Sequence, residues 1–175
     1  MTWFSGLHSV YMDDRKKEKN EAPAGCALRG RSHRMREKMG TRIIGTGSCL
    51  PKTVVTNDDL TKIMDTSDEW ISSRTGIRER HLVKEETTAS MSAEAARRAM
   101  EDAGITAEEI DLIIVGTLSA DHVTPACACE VQASIGAVNA VAFDINAACS
   151  GFMFALNIAH AYLQTGTYKT ALILG

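Results

Sequence analysis

The segment IDLIIVGT, residues 110–117, is an almost continuous apolar run beside a turn, and it constrains the fold more than any other stretch. A strand with one wet face alternates apolar and polar side chains, so an unbroken run of this length marks a strand covered on both faces. Such strands belong to parallel sheets lying between helix layers. The neighbouring segments carry the complementary helical signal. Residues 89–103 place Met91, Ala95, Ala99, Met100 and Ala103 on one face and Glu94, Arg97, Arg98 and Glu101 elsewhere, with Gly104 as the stop.

Strand and helix signals alternate along the rest of the chain. TRIIGTGSCLP (41–51) reads as a buried strand with a proline stop, and Asn57 reads as the cap of a short helix over DDLTKIMD. A second helix entry follows at DTSDEWISSR, and IRERHLV (77–83) reads as an exposed edge strand. Residues 125–136 predict a helix ending at Gly136, VAFDINA a buried strand, SGFMFALNIAHAYLQTG a long apolar helix and TALILG a last strand. The expected fold class is α/β, layered, with a mixed sheet packed between helices. The last strand is apolar and uncapped, so later elements of a longer polypeptide are expected to cover it.

Charge divides the chain in two. Residues 1–40 hold nine Lys or Arg against five Asp or Glu, whereas residues 41–175 hold ten against seventeen. The first part reads as a basic irregular head, either disordered or a mispredicted start with translation truly beginning at Met35 or Met39; residues 41–175 read as the domain. An acidic domain offers no general nucleic-acid surface. The head lacks the apolar stretch of a secretory signal, its five acidic residues argue against a transit peptide, and no segment reaches the length of a membrane span. The expected compartment is the cytoplasm.

Of the five cysteines, 26, 49, 127, 129 and 149, none forms a CxxC pair, and the odd count argues against a closed disulfide framework. Cys127 and Cys129 form a CxC with no second ligand pair, so small buried thiols are expected there rather than zinc. GTGSC at 45–49 lacks the third glycine of a dinucleotide-binding loop.

Cys149 in DINAACSGF stands at the junction of an apolar strand with a helix opening at Ser150 and Gly151. That junction exposes a side chain on a sharp turn and aims the new helix's unpaired N–H groups at it, a setting that suits a sulfur nucleophile and an oxyanion hole. A small buried thiol is the alternative reading. No histidine stands out as its base: His8 and His33 lie in the head, His81 in the edge strand, His122 in a polar loop, and His160 on a packed helix face where a structural role is expected. Trp70 and Arg74 are four residues apart and share a helical face; the indole offers a flat surface and the guanidinium both charge and a stacking plane. The alternative is a partly buried Trp beside a surface Arg.

GTGSCLP, DTSDEWISSRTGIRERH and DINAACSGF together resemble the β-ketoacyl-acyl carrier protein synthase III family from Thr41 to Gly175, as the first of the two similar halves of the thiolase-like fold. The resemblance implies an acyltransferase that starts fatty-acid synthesis by decarboxylative condensation of an acyl-CoA with malonyl-acyl carrier protein, using Cys149 as the acyl-accepting nucleophile. It implies that Trp70 stacks on the adenine of CoA, that Arg74 helps hold that moiety, and that Thr66 lies at the tunnel mouth. It implies a homodimer in which Thr124, just before Pro125, closes the partner's acyl pocket; a threonine there predicts room for primers longer than acetyl. Acyl-CoA is a substrate, and no cofactor or metal is expected. The family's His and Asn come from its second half and are not matched here. Two alternatives therefore stand beside the leading one: an acylation-only or non-catalytic CoA-binding module, and a secondary-metabolism relative.

Overall fold

The computed structural model describes residues 7–13 and 40–175. In chain order the strands are β1 (Leu7–Asp13), β2 (Arg42–Cys49), β3 (Thr53–Thr56), β4 (Glu79–Leu82), β5 (Leu112–Gly116), β6 (Val141–Ile145) and β7 (Thr170–Leu174). The helices are α1 (Asn57–Thr61), α2 (Asp68–Thr75), α3 (Thr88–Ala103), α4 (Cys127–Ile135) and α5 (Gly151–Thr165).

Five strands form one mixed sheet in the order β2-β1-β7-β5-β6. β5 runs parallel to both β6 and β7, and β1 runs antiparallel to β7 and β2. The apolar run of residues 110–117 sits inside the sheet, and its side chains divide between the two faces as expected. Ile113 and Val115, with Leu172 and Leu174, join the core under α3 and α4. Leu112 and Ile114, with Ala171 and Ile173, join a second core under α5. All eight are fully buried, which is why neither strand can spare a polar position.

Small residues let α3 lie almost on the backbone of β2. Ala95, Ala96 and Ala99 are fully buried, and a Cβ on Gly45 would come within 2.6 Å of the Ala99 carbonyl oxygen. α3 ends at Gly104, where φ is 67°, as the sequence predicts. Gly136 and Gly166 close α4 and α5 in the same left-handed conformation.

Three sequence expectations change. Residues 7–13, assigned to an irregular head, run as a strand between β2 and β7; the signal was missed because the pairing partners lie far away along the chain. Asn57 is not the cap of α1. Thr56 takes that place, its hydroxyl accepting from the Asp59 N–H while the Asp59 carboxylate accepts from the Thr56 N–H, and Asn57 is buried as the first helical residue. Finally, β4 pairs antiparallel with β3 in a separate two-stranded ribbon, and it turns Arg80 inward while Ile77 and Val83 on its flanks stay exposed. Burial of Arg80 is possible because its guanidinium donates to the Asn57 side chain at 2.7 Å and the Val55 carbonyl at 3.3 Å.

Candidate active site

Cys149 emerges at the carboxyl end of β6, within a single turn of 3-10 helix, Ala148–Ser150, that leads directly into α5. Its side chain is exposed, so the reading of a buried structural thiol does not hold. Ala148, just before it, has φ of 46°, the one described non-glycine residue with positive φ. A left-handed alanine is costly by about 1–2 kcal/mol, and such outliers collect where a chain must present a side chain on a sharp bend.

The bend is held from below by contacts that admit no side chain. Gly116, the last residue of β5, touches the start of α5 so closely that a Cβ there would stand 2.6 Å from the Gly151 carbonyl carbon and 2.9 Å from the Phe152 nitrogen. Gly151 is buried against Gly116 in return. The helix therefore starts directly over the ends of parallel strands, where ligand sites of open α/β sheets form. No side-chain oxygen from Ser150 caps α5, and the Gly151 N–H is turned to the Ala148 carbonyl. By contrast Thr56, Ser67 and Thr87 cap α1, α2 and α3. The open first turn of α5 leaves N–H groups pointing toward the elbow that carries Cys149, and these can stabilise negative charge developing on an acyl oxygen.

Asp144 was not singled out in the sequence, although an acid inside the apolar strand VAFDI is a legible signal. Its two carboxylate oxygens accept from the Cys127 and Ala128 N–H groups, both at 2.8 Å, and so close the first turn of α4. That pair ties the loop before α4, with Thr124 and Pro125, to the carboxyl end of β6 from which Cys149 emerges. Thr124 is exposed and precedes Pro125 through a cis peptide bond.

The other cysteines differ from Cys149 in setting. Cys127 is fully buried, and desolvation together with the nearby Asp144 charge pushes its thiol up to about 12. Cys129 is half-buried with its thiol toward the Ala142 carbonyl at 3.7 Å. Burial also raises the Cys49 thiol. Among the described residues no group of three or more His, Cys, Asp or Glu side chains could hold a metal ion. The described histidines are engaged elsewhere: His81 Nδ1 lies 2.6 Å from the Pro51 carbonyl oxygen, His122 Nδ1 3.1 Å from Glu130, and His160 Nδ1 2.8 Å from the Thr41 hydroxyl. His8 and His33 lie outside the residues whose side chains are described.

Trp70 and Arg74 stand together on α2, with the Arg74 guanidinium carbon 4.6 Å from the centre of the Trp70 ring. Both are exposed, which leaves a broad aromatic and cationic surface open to a ligand. Thr66 precedes the cap Ser67 and is half-buried. α2 is fastened through Asn57 of α1, which donates to Asp68 and the Ile77 carbonyl and accepts from Arg80 of β4, so Trp70 and Arg74 lie on α2 with Thr66 just before it, while Cys149 stands on the sheet.

Comparison with known proteins bears directly on this arrangement. The chain is 61% identical over 133 residues to the β-ketoacyl-[acyl-carrier-protein] synthase III of Clostridium acetobutylicum, a match covering 76% of this chain and 41% of that one. It is 54% identical over 142 residues to the enzyme of the same name from Xanthomonas campestris, covering 81% and 44%. Residues 143–175, which include Cys149, match the family described as 3-oxoacyl-[acyl-carrier-protein (ACP)] synthase III. Over about three quarters of its length the chain is similar to β-ketoacyl-acyl carrier protein synthase III enzymes. It spans somewhat under half the length of the synthase III relatives it matches. The fold agrees: the crystal structure of the synthase III from Aquifex aeolicus superposes with a TM-score of 0.75 at 53% identity, covering 77% of this chain and 44% of that one. The priming β-ketosynthase of the R1128 polyketide pathway superposes with a TM-score of 0.70 at 40% identity, covering 73% and 38%. The layered α/β domain is thus part of a thiolase-like half, as the sequence motifs imply. Among the described residues, no helix is long and apolar enough to cross a membrane.

Proposed function

We propose that this chain carries the acyl-loading part of a β-ketoacyl-acyl carrier protein synthase III. The observation that carries the reading is the exposed Cys149 on a left-handed elbow, at the open first turn of a fifteen-residue helix. The Cys149 sulfur attacks the thioester carbonyl of an acyl-CoA, the carbonyl oxygen gathers negative charge beside the α5 N–H groups, and the CoA thiolate leaves as the carbonyl re-forms. The product is an acyl thioester on Cys149 and free CoA. Trp70 and Arg74 receive the adenine moiety, with Thr66 at the entrance, and Thr124 shapes an acyl pocket across a homodimer. In the complete reaction malonyl-acyl carrier protein loses carbon dioxide and the resulting carbanion attacks the Cys149 thioester, with a His and an Asn that the family fold supplies from its second half. Acyl-CoA is a substrate, and the reading calls for no resident cofactor, no nucleic acid and a cytoplasmic setting.

Intact mass after incubation with octanoyl-CoA tests the loading step. One acyl adduct is expected on the native chain and none on Cys149→Ser; a folded sample that gains no adduct would refute it and favour a non-catalytic CoA-binding module. A secondary-metabolism role has a 40% match to a polyketide priming enzyme behind it, against 61% for a relative named simply as a synthase III. Thr124 adds a specificity test. Acylation faster with octanoyl-CoA than with acetyl-CoA is expected, and equal or better use of acetyl-CoA would sink the wide-pocket reading.

A further inference from the structure

α2 carries Trp70 and Arg74 but buries none of its own residues, so apolar packing does not fix its direction. A polar junction does. Asn57 is 1% exposed, and its single side-chain amide reaches both ends of α2: Nδ2 donates to the Asp68 carboxylate at 2.6 Å, at the first residue of the helix, and to the Ile77 carbonyl at 2.8 Å, just past the Gly76 stop. The amide oxygen accepts from Arg80 at 2.7 Å, and the Asn57 backbone N–H donates to the Arg78 carbonyl at 3.2 Å. Three of the amide's four hydrogen-bonding sites are therefore used to fasten the two ends of an eight-residue helix to the ribbon β3–β4. A residue of this type at this place is not needed to cap α1, because Thr56 and Asp59 already do that.

We infer that Asn57, braced by Arg80, is a positioning residue for the Trp70–Arg74 surface: it sets the angle at which α2 presents the stacked pair to the nucleotide end of an acyl-CoA. The inference rests on the proposed role of Trp70 and Arg74. Only the docking of the nucleotide passes through this junction; the Cys149 elbow stands on the sheet, held by Gly116 and Gly151. Loss of the junction should therefore weaken use of a thioester that has an adenine and spare one that has none.

The test compares acylation of Cys149 by octanoyl-CoA with acylation by octanoyl-N-acetylcysteamine, which shares the thioester and lacks the nucleotide. In Asn57→Ala the ratio of the two rates at low substrate should fall about tenfold, the size expected for losing buried hydrogen bonds. Trp70→Ala should lower the same ratio, and the double variant should fall no further than Trp70→Ala alone. A ratio unchanged in Asn57→Ala, or effects that multiply in the double variant, would overturn the positioning role; an unchanged ratio in Trp70→Ala would instead overturn the adenine reading beneath it. Hydrogen exchange supplies a readout that needs no turnover. Amides 71–76 should exchange about tenfold faster in Asn57→Ala while amides 112–115 in β5 keep their protection. Unchanged exchange in α2 counts against the clamp. Asp68→Ala, which removes one partner and leaves Asn57 bonded to Arg80, is the milder variant on which the same comparisons decide if Asn57→Ala does not fold.

Discussion

Gly116→Ala tests whether the contact beneath α5 positions Cys149. The added Cβ would stand 2.6 Å from the Gly151 carbonyl carbon, 2.9 Å from the Phe152 nitrogen and 3.0 Å from the Gly151 oxygen. All three are backbone atoms, so no flexible side chain can turn aside. Restoring ordinary contact at 3.4 Å requires the start of α5 to lift by about 0.8 Å relative to β5. Overpacking of this kind destabilises by about 1–3 kcal/mol. The same lift carries the Cys149 elbow, and a misplacement near 1 Å can cost about a hundredfold in rate. Urea unfolding measures the first effect and the rate of Cys149 acylation by octanoyl-CoA the second. Gly136→Ala is the control: it strains the backbone of a left-handed glycine, φ 78°, while its Cβ meets nothing within 4 Å, and it lies at the far end of α4. Gly136→Ala should lose stability with acylation kept. Gly116→Ala that unfolds within about 0.5 kcal/mol of the native chain, the scatter of ordinary surface changes, and acylates at the native rate would refute the argument.

Asp144→Asn keeps the shape but removes the charge that accepts two N–H bonds at the start of α4; a loss of about 1–2 kcal/mol in urea unfolding is expected, and no loss would show that the cap contributes nothing. Cys127 supplies a pH dependence. Its thiol is raised from 9.0 to about 12 in the folded chain, so between those values the unfolded chain releases the proton and the folded chain keeps it. The unfolded state then binds fewer protons, and stability falls as pH rises through that window while the contribution is constant below it. Thermal unfolding of Cys127→Ala should therefore lose less stability between about pH 9 and 12 than the native chain, and identical slopes would contradict this.

Local chemistry made much of the fold legible. The left-handed stops at Gly104, Gly136 and Gly166, the amphipathic α3 and the doubly buried β5 and β7 all follow from patterns within a few residues of each other. The strand-to-helix junction that exposes Cys149 was legible for the same reason, since a junction rich in small residues is a local signal. Three features were decided only by tertiary structure, because each joins residues remote in sequence. β1 finds its partners across the sheet in β2 and β7. Asp144 closes a helix that begins 17 residues before it. Asn57 reads locally as a cap, yet burial between α2 and β4 turns its amide into the junction of Asp68, Ile77 and Arg80. A buried amide must satisfy its donors and acceptor wherever partners stand, and only the folded chain places those partners.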